Sequence, residues 1–132
     1  MRPGKPLMHG RLGDLRVLGL PGNPTSSTVC AILFLAPLLR ALHGEPDPGR
    51  DPTLSARLAK DMGANGPRQD YARAALARDG EGVLLATPAA EQDSSLVKVM
   101  ARADGLIVRP PHAAPSRAGD PCRVIAFDAL GV

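Results

Sequence analysis

The segment of residues 45–52, Glu-Pro-Asp-Pro-Gly-Arg-Asp-Pro, constrains the fold of this chain more than any other feature. Prolines lack a backbone N–H, and so many of them within eight residues exclude a helix or a central strand. We therefore predict a linker at residues 45–52 between a first domain, residues 1–44, and a second domain, residues 53–132. A chain of 132 residues is long enough for two small domains of this kind.

The first domain is predicted to begin with a strand hairpin. Residues 7–10 and 16–20 are short apolar segments, and the turn-forming residues 12–14 separate them. The run Pro-Gly-Asn-Pro at residues 21–24 then ends the second strand.

A helix is predicted to follow, from about residue 25 to residue 42, because apolar residues recur there at helical spacing. Asn23 is a suitable N-cap and Pro24 suits the first helical position. Pro37 is expected to kink this helix or to start a new turn. Gly44 is expected to end it.

The second domain is predicted to be rich in β-structure. Alanine-rich residues 72–77 have helical propensity, but the turn signal at residues 79–82 favours a strand. Five short strands suggest a small barrel or a sandwich. The predicted strands are residues 53–60, 70–78, 83–87, 105–109 and 123–127, with a short helix over 96–102 capped by Ser94 or Ser95.

Composition argues against several classes of function. The formal net charge of +3 and the scarcity of aromatic residues, only Phe34, Tyr71 and Phe127, give little support to nucleic-acid binding. The longest apolar run, residues 29–39, is shorter than the roughly 20 residues that span a bilayer, so no membrane association is expected.

Cysteine and histidine usage indicates a cytoplasmic protein without a metal site of its own. Cys30 and Cys122 lie far apart and form no CxxC pair, and the three histidines are dispersed. We expect two reduced, partly buried thiols. The amino terminus lacks the apolar core of a signal peptide.

Two motifs are candidate anion-binding elements. Residues 19–26 join the end of a strand to the start of a helix, where backbone N–H groups and the helix dipole favour anions. The alternative, a rigid turn with a good cap, has equal support from the spacing alone. In Pro3-Gly4-Lys5-Pro6 the prolines stiffen the backbone around an ammonium group, although an exposed lysine in an entry loop has the same pattern.

These motifs together resemble the molybdopterin molybdotransferase family. The resemblance covers nearly the whole chain and is strongest in residues 1–44. It rests on Arg2-Pro3-Gly4-Lys5-Pro6, Gly10-Arg11-Leu12-Gly13-Asp14 and Gly19-Leu20-Pro21-Gly22-Asn23-Pro24 with Ser26, then on Tyr71, Arg73, Leu76, Gln92, Ser94 and Ala103-Asp104-Gly105-Leu106-Ile107-Val108.

The resemblance implies a role in molybdenum cofactor biosynthesis. Such enzymes bind adenylylated molybdopterin and molybdate, cleave the adenylate with Mg²⁺, release AMP and leave molybdenum on the dithiolene. It implies that molybdopterin or molybdate binds at Arg2, Lys5, Pro21, Gly22, Asn23, Pro24 and Ser26.

The chain departs from the family in two respects. The acidic, metal-handling residues of the family lie upstream of the part that this chain resembles, and Asp93 replaces a usual glycine. We therefore expect a C-terminal piece that is inactive alone: an α/β remnant, with a strand hairpin and a helix from the end of a three-layer domain, followed by a small all-β barrel-like domain.

The resemblance and the apolar helix also lead to expectations about binding partners. The resemblance implies a homodimer for the full-length enzyme, and the apolar helix of the first domain predicts self-association of this chain. The alternative function is a non-catalytic interaction module, in which the β-rich domain docks other cofactor-synthesis or target proteins.

Overall fold

The computed structural model describes residues 7–90 and 102–130. Among these, residues 7–51 form one compact unit and residues 52–130 another. The predicted helix over residues 96–102 lies outside the described part apart from its last residue, and so do Gln92 and Ser94.

The first unit begins with the predicted hairpin. Strands β1 (Met8–Leu12) and β2 (Leu15–Gly19) pair antiparallel, so that Leu12 lies opposite Leu15. Gly13 in the turn has a φ of 60°, a left-handed conformation that glycine adopts without steric cost.

One face of this hairpin is entirely apolar. Paired residues of an antiparallel ladder share a face, and alternate residues along each strand do so too. That face therefore carries no charged side chain, and its larger members are 47–72% exposed. Its members are Met8, Gly10, Leu12, Leu15, Val17 and Gly19.

The predicted helix is present and continuous over Pro24–Leu42. It comprises α1 (Pro24–Cys30), a π-helical segment (Ala31–Leu35) and α2 (Ala36–Leu42). Pro37 has no N–H to donate to the carbonyl four residues earlier. This missing hydrogen bond accounts for the π-helical segment, which has a wider turn than an α-helix, just before Pro37. Gly44, with a φ of 82°, follows the end of the helix as predicted.

The second unit is a closed five-stranded barrel, which confirms the barrel alternative over the sandwich. Around the barrel the strands follow the order β3-β5-β4-β6-β7, and β7 pairs with β3 to close it. All pairs are antiparallel except β3 with β5. The strands are β3 (Leu54–Leu58), β4 (Asp70–Arg78), β5 (Leu84–Pro88), β6 (Gly105–Arg109) and β7 (Pro121–Ala126), and a 3₁₀ turn follows at Asp128–Leu130.

The barrel core is narrow and contains many small residues. Because side chains alternate along each strand, Ala72 and Ala74 of β4 point inward together with Ile107 of β6. Small side chains suit the interior of a barrel with so few strands. The buried core consists of Ala56, Leu58, Ala72, Ala74, Ala86, Ile107 and Val124.

Candidate functional site

The loop between β2 and α1 is held by Asn23. Its side-chain oxygen accepts hydrogen bonds from the N–H groups of Thr25, at 3.0 Å, and Ser26, at 3.3 Å. Its backbone carbonyl accepts from the N–H of Ser27 at 2.8 Å. The predicted N-cap is therefore confirmed, with Pro24 at the first helical position.

This cap changes how the loop can contact an anion. The first N–H groups of the helix already have acceptors, so they are not free to bind a ligand in this conformation. The helix dipole still places partial positive charge here. The donors available to an anion are then side-chain hydroxyls and the N–H of Gly22, an exposed residue.

Thr25 lies in the motif of residues 19–26 but is not among the predicted ligand-binding residues, and it is the most unusual residue of this loop. It is 1% exposed, and its hydroxyl has no hydrogen-bond partner within the described residues. By contrast, the hydroxyl of Thr28, one turn later, donates to the carbonyl of Pro24 at 2.9 Å. A buried hydroxyl without a partner costs free energy, so this position is unfavourable unless another group forms a hydrogen bond with it.

The remaining predicted site residues fall into two groups. Arg2 and Lys5 lie outside the described residues. In the loop itself, Pro21 is buried, Ser26 is half-buried and Pro24 is exposed. The structure thus brings together five predicted positions, Pro21, Gly22, Asn23, Pro24 and Ser26, around the start of α1.

The described residues contain no cluster of three or more potential metal-binding side chains. Mg²⁺ binds through one or two carboxylates with near-octahedral geometry. Within residues 7–90 and 102–130, no group of three or more histidine, cysteine, aspartate or glutamate side chains is placed to hold a metal ion.

The two cysteines are not activated nucleophiles. Both are free thiols, Cys30 buried and Cys122 half-buried. Burial raises the pKa of each thiol above its ordinary value, because desolvation disfavours the thiolate. A smaller thiolate fraction at neutral pH makes each a poor nucleophile.

A buried arginine lies on the outer face of the barrel. Arg73 of β4 is fully buried, and it is paired with Leu106 of β6, which is also fully buried. Ile125 of β7 continues this row. Burial of a guanidinium is uncommon and requires compensating interactions. Because Arg73, Leu106 and Ile125 are all buried although they lie on the outer face, this part of the barrel surface is covered.

The helix Pro24–Leu42 has 19 residues and is long and apolar enough to cross a membrane by length and composition alone. The helix is longer than the uninterrupted apolar run at residues 29–39, because it also includes a first turn of small, weakly polar residues. Core helices of globular proteins have the same composition, so this property alone assigns no location.

Comparison with known proteins identifies the family. The family described as MoeA C-terminal region (domain IV) matches residues 55–127. Molybdopterin molybdenumtransferase 2 of Mycobacterium tuberculosis is 33% identical over 124 residues, which cover 94% of this chain and 30% of that protein. Molybdopterin molybdenumtransferase of Bacillus subtilis is 34% identical over 110 residues, covering 83% of this chain and 25% of the relative.

A solved structure agrees in both fold and sequence. The molybdopterin biosynthesis MoeA protein of Pyrococcus horikoshii superposes with a TM-score of 0.71 at 32% identity, over 95% of this chain and 29% of that protein. The chain thus spans less than a third of the length of these relatives. From the family match and the agreement in fold, the chain belongs to the family of MoeA C-terminal regions, whose relatives take part in molybdenum cofactor biosynthesis.

Proposed function

We propose that this chain is the C-terminal part of a molybdopterin molybdotransferase, which inserts molybdate into adenylylated molybdopterin and releases AMP. The observation that carries the proposal is the buried hydroxyl of Thr25 at the start of α1, beside the Pro21–Pro24 turn. An oxyanion can accept a hydrogen bond from that hydroxyl, and the positive end of the helix dipole favours its charge.

In this proposal the chain supplies part of an anion site but no complete catalytic centre. Gly22, Ser26 and Thr25 offer donors to the anion, while Asn23 positions the loop by capping the helix. Arg2 and Lys5 are proposed to add positive charge. The acidic, metal-handling residues of the family lie upstream of the part that this chain resembles, so we infer that the chain alone is inactive and that the activity belongs to a longer enzyme in the cytosol.

The test uses the loop hydroxyl. We expect Thr25→Val to leave the free energy of unfolding unchanged or slightly higher, because the hydroxyl has no partner to lose within the described residues. The same change should weaken molybdate binding, measured by calorimetric titration, by about tenfold, the equivalent of one hydrogen bond to a charged group.

The matched control is Thr28→Val, which removes an exposed hydroxyl one helical turn away. It should leave molybdate binding unchanged. If molybdate binds equally to the wild type and to both variants, or does not bind at all, the anion-site proposal is wrong. Capture of a cofactor-synthesis protein by the barrel would then favour the interaction module.

We also propose that the apolar hairpin face leads this chain to self-associate. Four large apolar side chains lie side by side on a two-stranded sheet, and such exposed surface is stabilised by burial. We expect light scattering to give a mass above that of the monomer at high concentration, and the double variant Leu12→Lys, Leu15→Glu to restore the monomer.

The charges introduced in that variant attract one another across the β1–β2 pair, so the hairpin itself should persist. The control is Arg16→Glu on the opposite face, which should not change the mass. A wild-type chain that is monomeric at all concentrations would contradict the proposal.

A further inference from the structure

A cavity of about 450 Å³ opens at one end of the barrel, where β3, β5 and β6 finish and β4 begins. Four charged side chains line it: Lys60, Asp61, Asp70 and Arg109. This cavity lies wholly within the barrel unit and shares no residue with the loop at the start of α1.

Arg109 is the central residue of this cavity. It is 6% exposed and has the same strand parity as Ile107, so its side chain lies at the end of the barrel interior. One terminal nitrogen, Nη2, donates to the carbonyls of Gly63 and Ala114, both at 3.0 Å. These two bonds fix the orientation of the guanidinium.

The rest of the guanidinium remains available. Within the described part of the chain, its side chain makes no hydrogen bond other than the two from Nη2, and no carboxylate lies within ion-pair distance of it. Nε and Nη1 are therefore left as donors. A guanidinium that is held in place and retains a free donor is well suited to give a charge-assisted hydrogen bond to an oxyanion.

The cavity wall is also held in place. The side-chain nitrogen of Asn65 donates to the carbonyls of Arg68 and Pro110, both at 2.8 Å. The backbone N–H of Asn65 donates to the carbonyl of Ala113 at 2.9 Å. These bonds tie the loop after β3 to the loop after β6, so a ligand would not need to order either loop on binding.

The cavity also contains two carboxylates, and each has an interaction of its own. Asp61 is exposed to solvent, and its Oδ1 accepts from the N–H of Ala118 at 2.8 Å. Asp70 lies opposite Arg109 in the β4–β6 ladder but has an interaction of its own. Lys60, exposed in the same cavity, supplies a second positive charge.

We propose that this cavity binds a tetrahedral oxyanion of the phosphate class, held by a charge-assisted hydrogen bond from the free Nε–H of Arg109 and by the ammonium of Lys60. The proposal is independent of the function proposed above, because neither its residues nor its ligand contacts involve residues 21–26. It adds a second anion site, on the barrel.

The test follows the side-chain Nε–Hε resonance of Arg109 by NMR while inorganic phosphate is added at constant ionic strength. We expect a saturable shift. Lys60→Gln should weaken binding by about three- to tenfold, since it removes one nearby positive charge. Asp61→Asn keeps the acceptor for Ala118 but removes a negative charge, and should strengthen binding by about the same factor.

The matched controls are Arg78→Gln and Glu81→Gln, at and beyond the opposite end of β4. Each should change phosphate affinity less than about twofold, because these charges are separated from the cavity by more than a Debye length of about 8 Å. All four substitutions are at exposed positions, so we expect the fold to tolerate them.

Two further titrations distinguish the source of the oxyanion. Equal affinity for molybdate and phosphate would indicate a free tetrahedral anion, whereas tighter binding of AMP would indicate the phosphate group of a nucleotide. The proposal is overturned if the Arg109 resonance does not shift saturably with phosphate. It is also overturned if the cavity variants and the distant controls change the affinity equally.

Discussion

Gly105→Ala is expected to unfold the barrel or to lower its stability by about 3 kcal/mol or more, a value at the upper end for overpacked sites. A Cβ on Gly105 would overlap the carbonyl oxygen of Ile125 and would lie 2.8 Å from Cδ1 of Leu76. The carbonyl belongs to the β7 backbone, so it cannot move without disturbing the β6–β7 pair. Urea unfolding followed by circular dichroism measures the loss.

Gly80→Ala is the matched control for this substitution. Gly80 lies in the turn between β4 and β5, and a Cβ there would meet no atom within 4 Å. Its φ is not in the left-handed region, so alanine introduces no backbone strain. We expect a change of less than about 0.5 kcal/mol, as for ordinary surface substitutions. Equal unfolding midpoints for the two variants would refute the close approach of β6 to β7.

Ile107→Ala is expected to cost about 2–5 kcal/mol, the range for large-to-small substitutions in a core. Ile107 is fully buried and is among the largest side chains within a core that contains four alanines. Alanine side chains have no rotamers with which to fill the space that Ile107 would leave. The lost methylene groups would therefore leave a cavity, and the free energy of unfolding from urea titration measures its cost.

Two comparisons make this second result interpretable. Ile107→Val removes a single methylene group and should cost about 0.5–1.5 kcal/mol. Val108→Ala, at the half-buried neighbouring position on the outer face, should cost less than Ile107→Ala. A cost for Ile107→Ala no greater than that for Val108→Ala would contradict the inward orientation of Ile107.

Much of the fold was predictable because proline, glycine and asparagine mark its boundaries. The predicted strands at residues 70–78 and 105–109 have the observed bounds of β4 and β6. The cap at Asn23 was predictable because an amide oxygen before a proline is a local signal that needs no tertiary context.

The order of the strands around the barrel could not be predicted from the sequence. The parallel pairing of β3 with β5 depends on how the barrel closes, and alternation along a strand carries no information about its neighbours. The π-helical segment was foreseen only as an irregularity at Pro37, since its position depends on how the preceding turns accommodate that ring.

The candidate sites were only partly predictable. The loop at residues 21–26 has a motif, and its residues do gather at the start of α1. Nothing in that motif distinguishes Thr25 from its neighbours, and Arg109 has no sequence signal because an arginine at a strand end is ordinary. Their distinction is burial, which only the tertiary structure establishes.

The closure of the barrel by β3 and β7 has a consequence for how the protein is made. The side chain of Arg123 in β7 bonds to Thr53, which precedes it by 70 positions, immediately before β3. The first strand of the barrel therefore leaves the ribosome long before its closing neighbour is synthesised. Until then β3 has an unpaired edge, so folding must wait for the last strand and should be slow for a domain of this size.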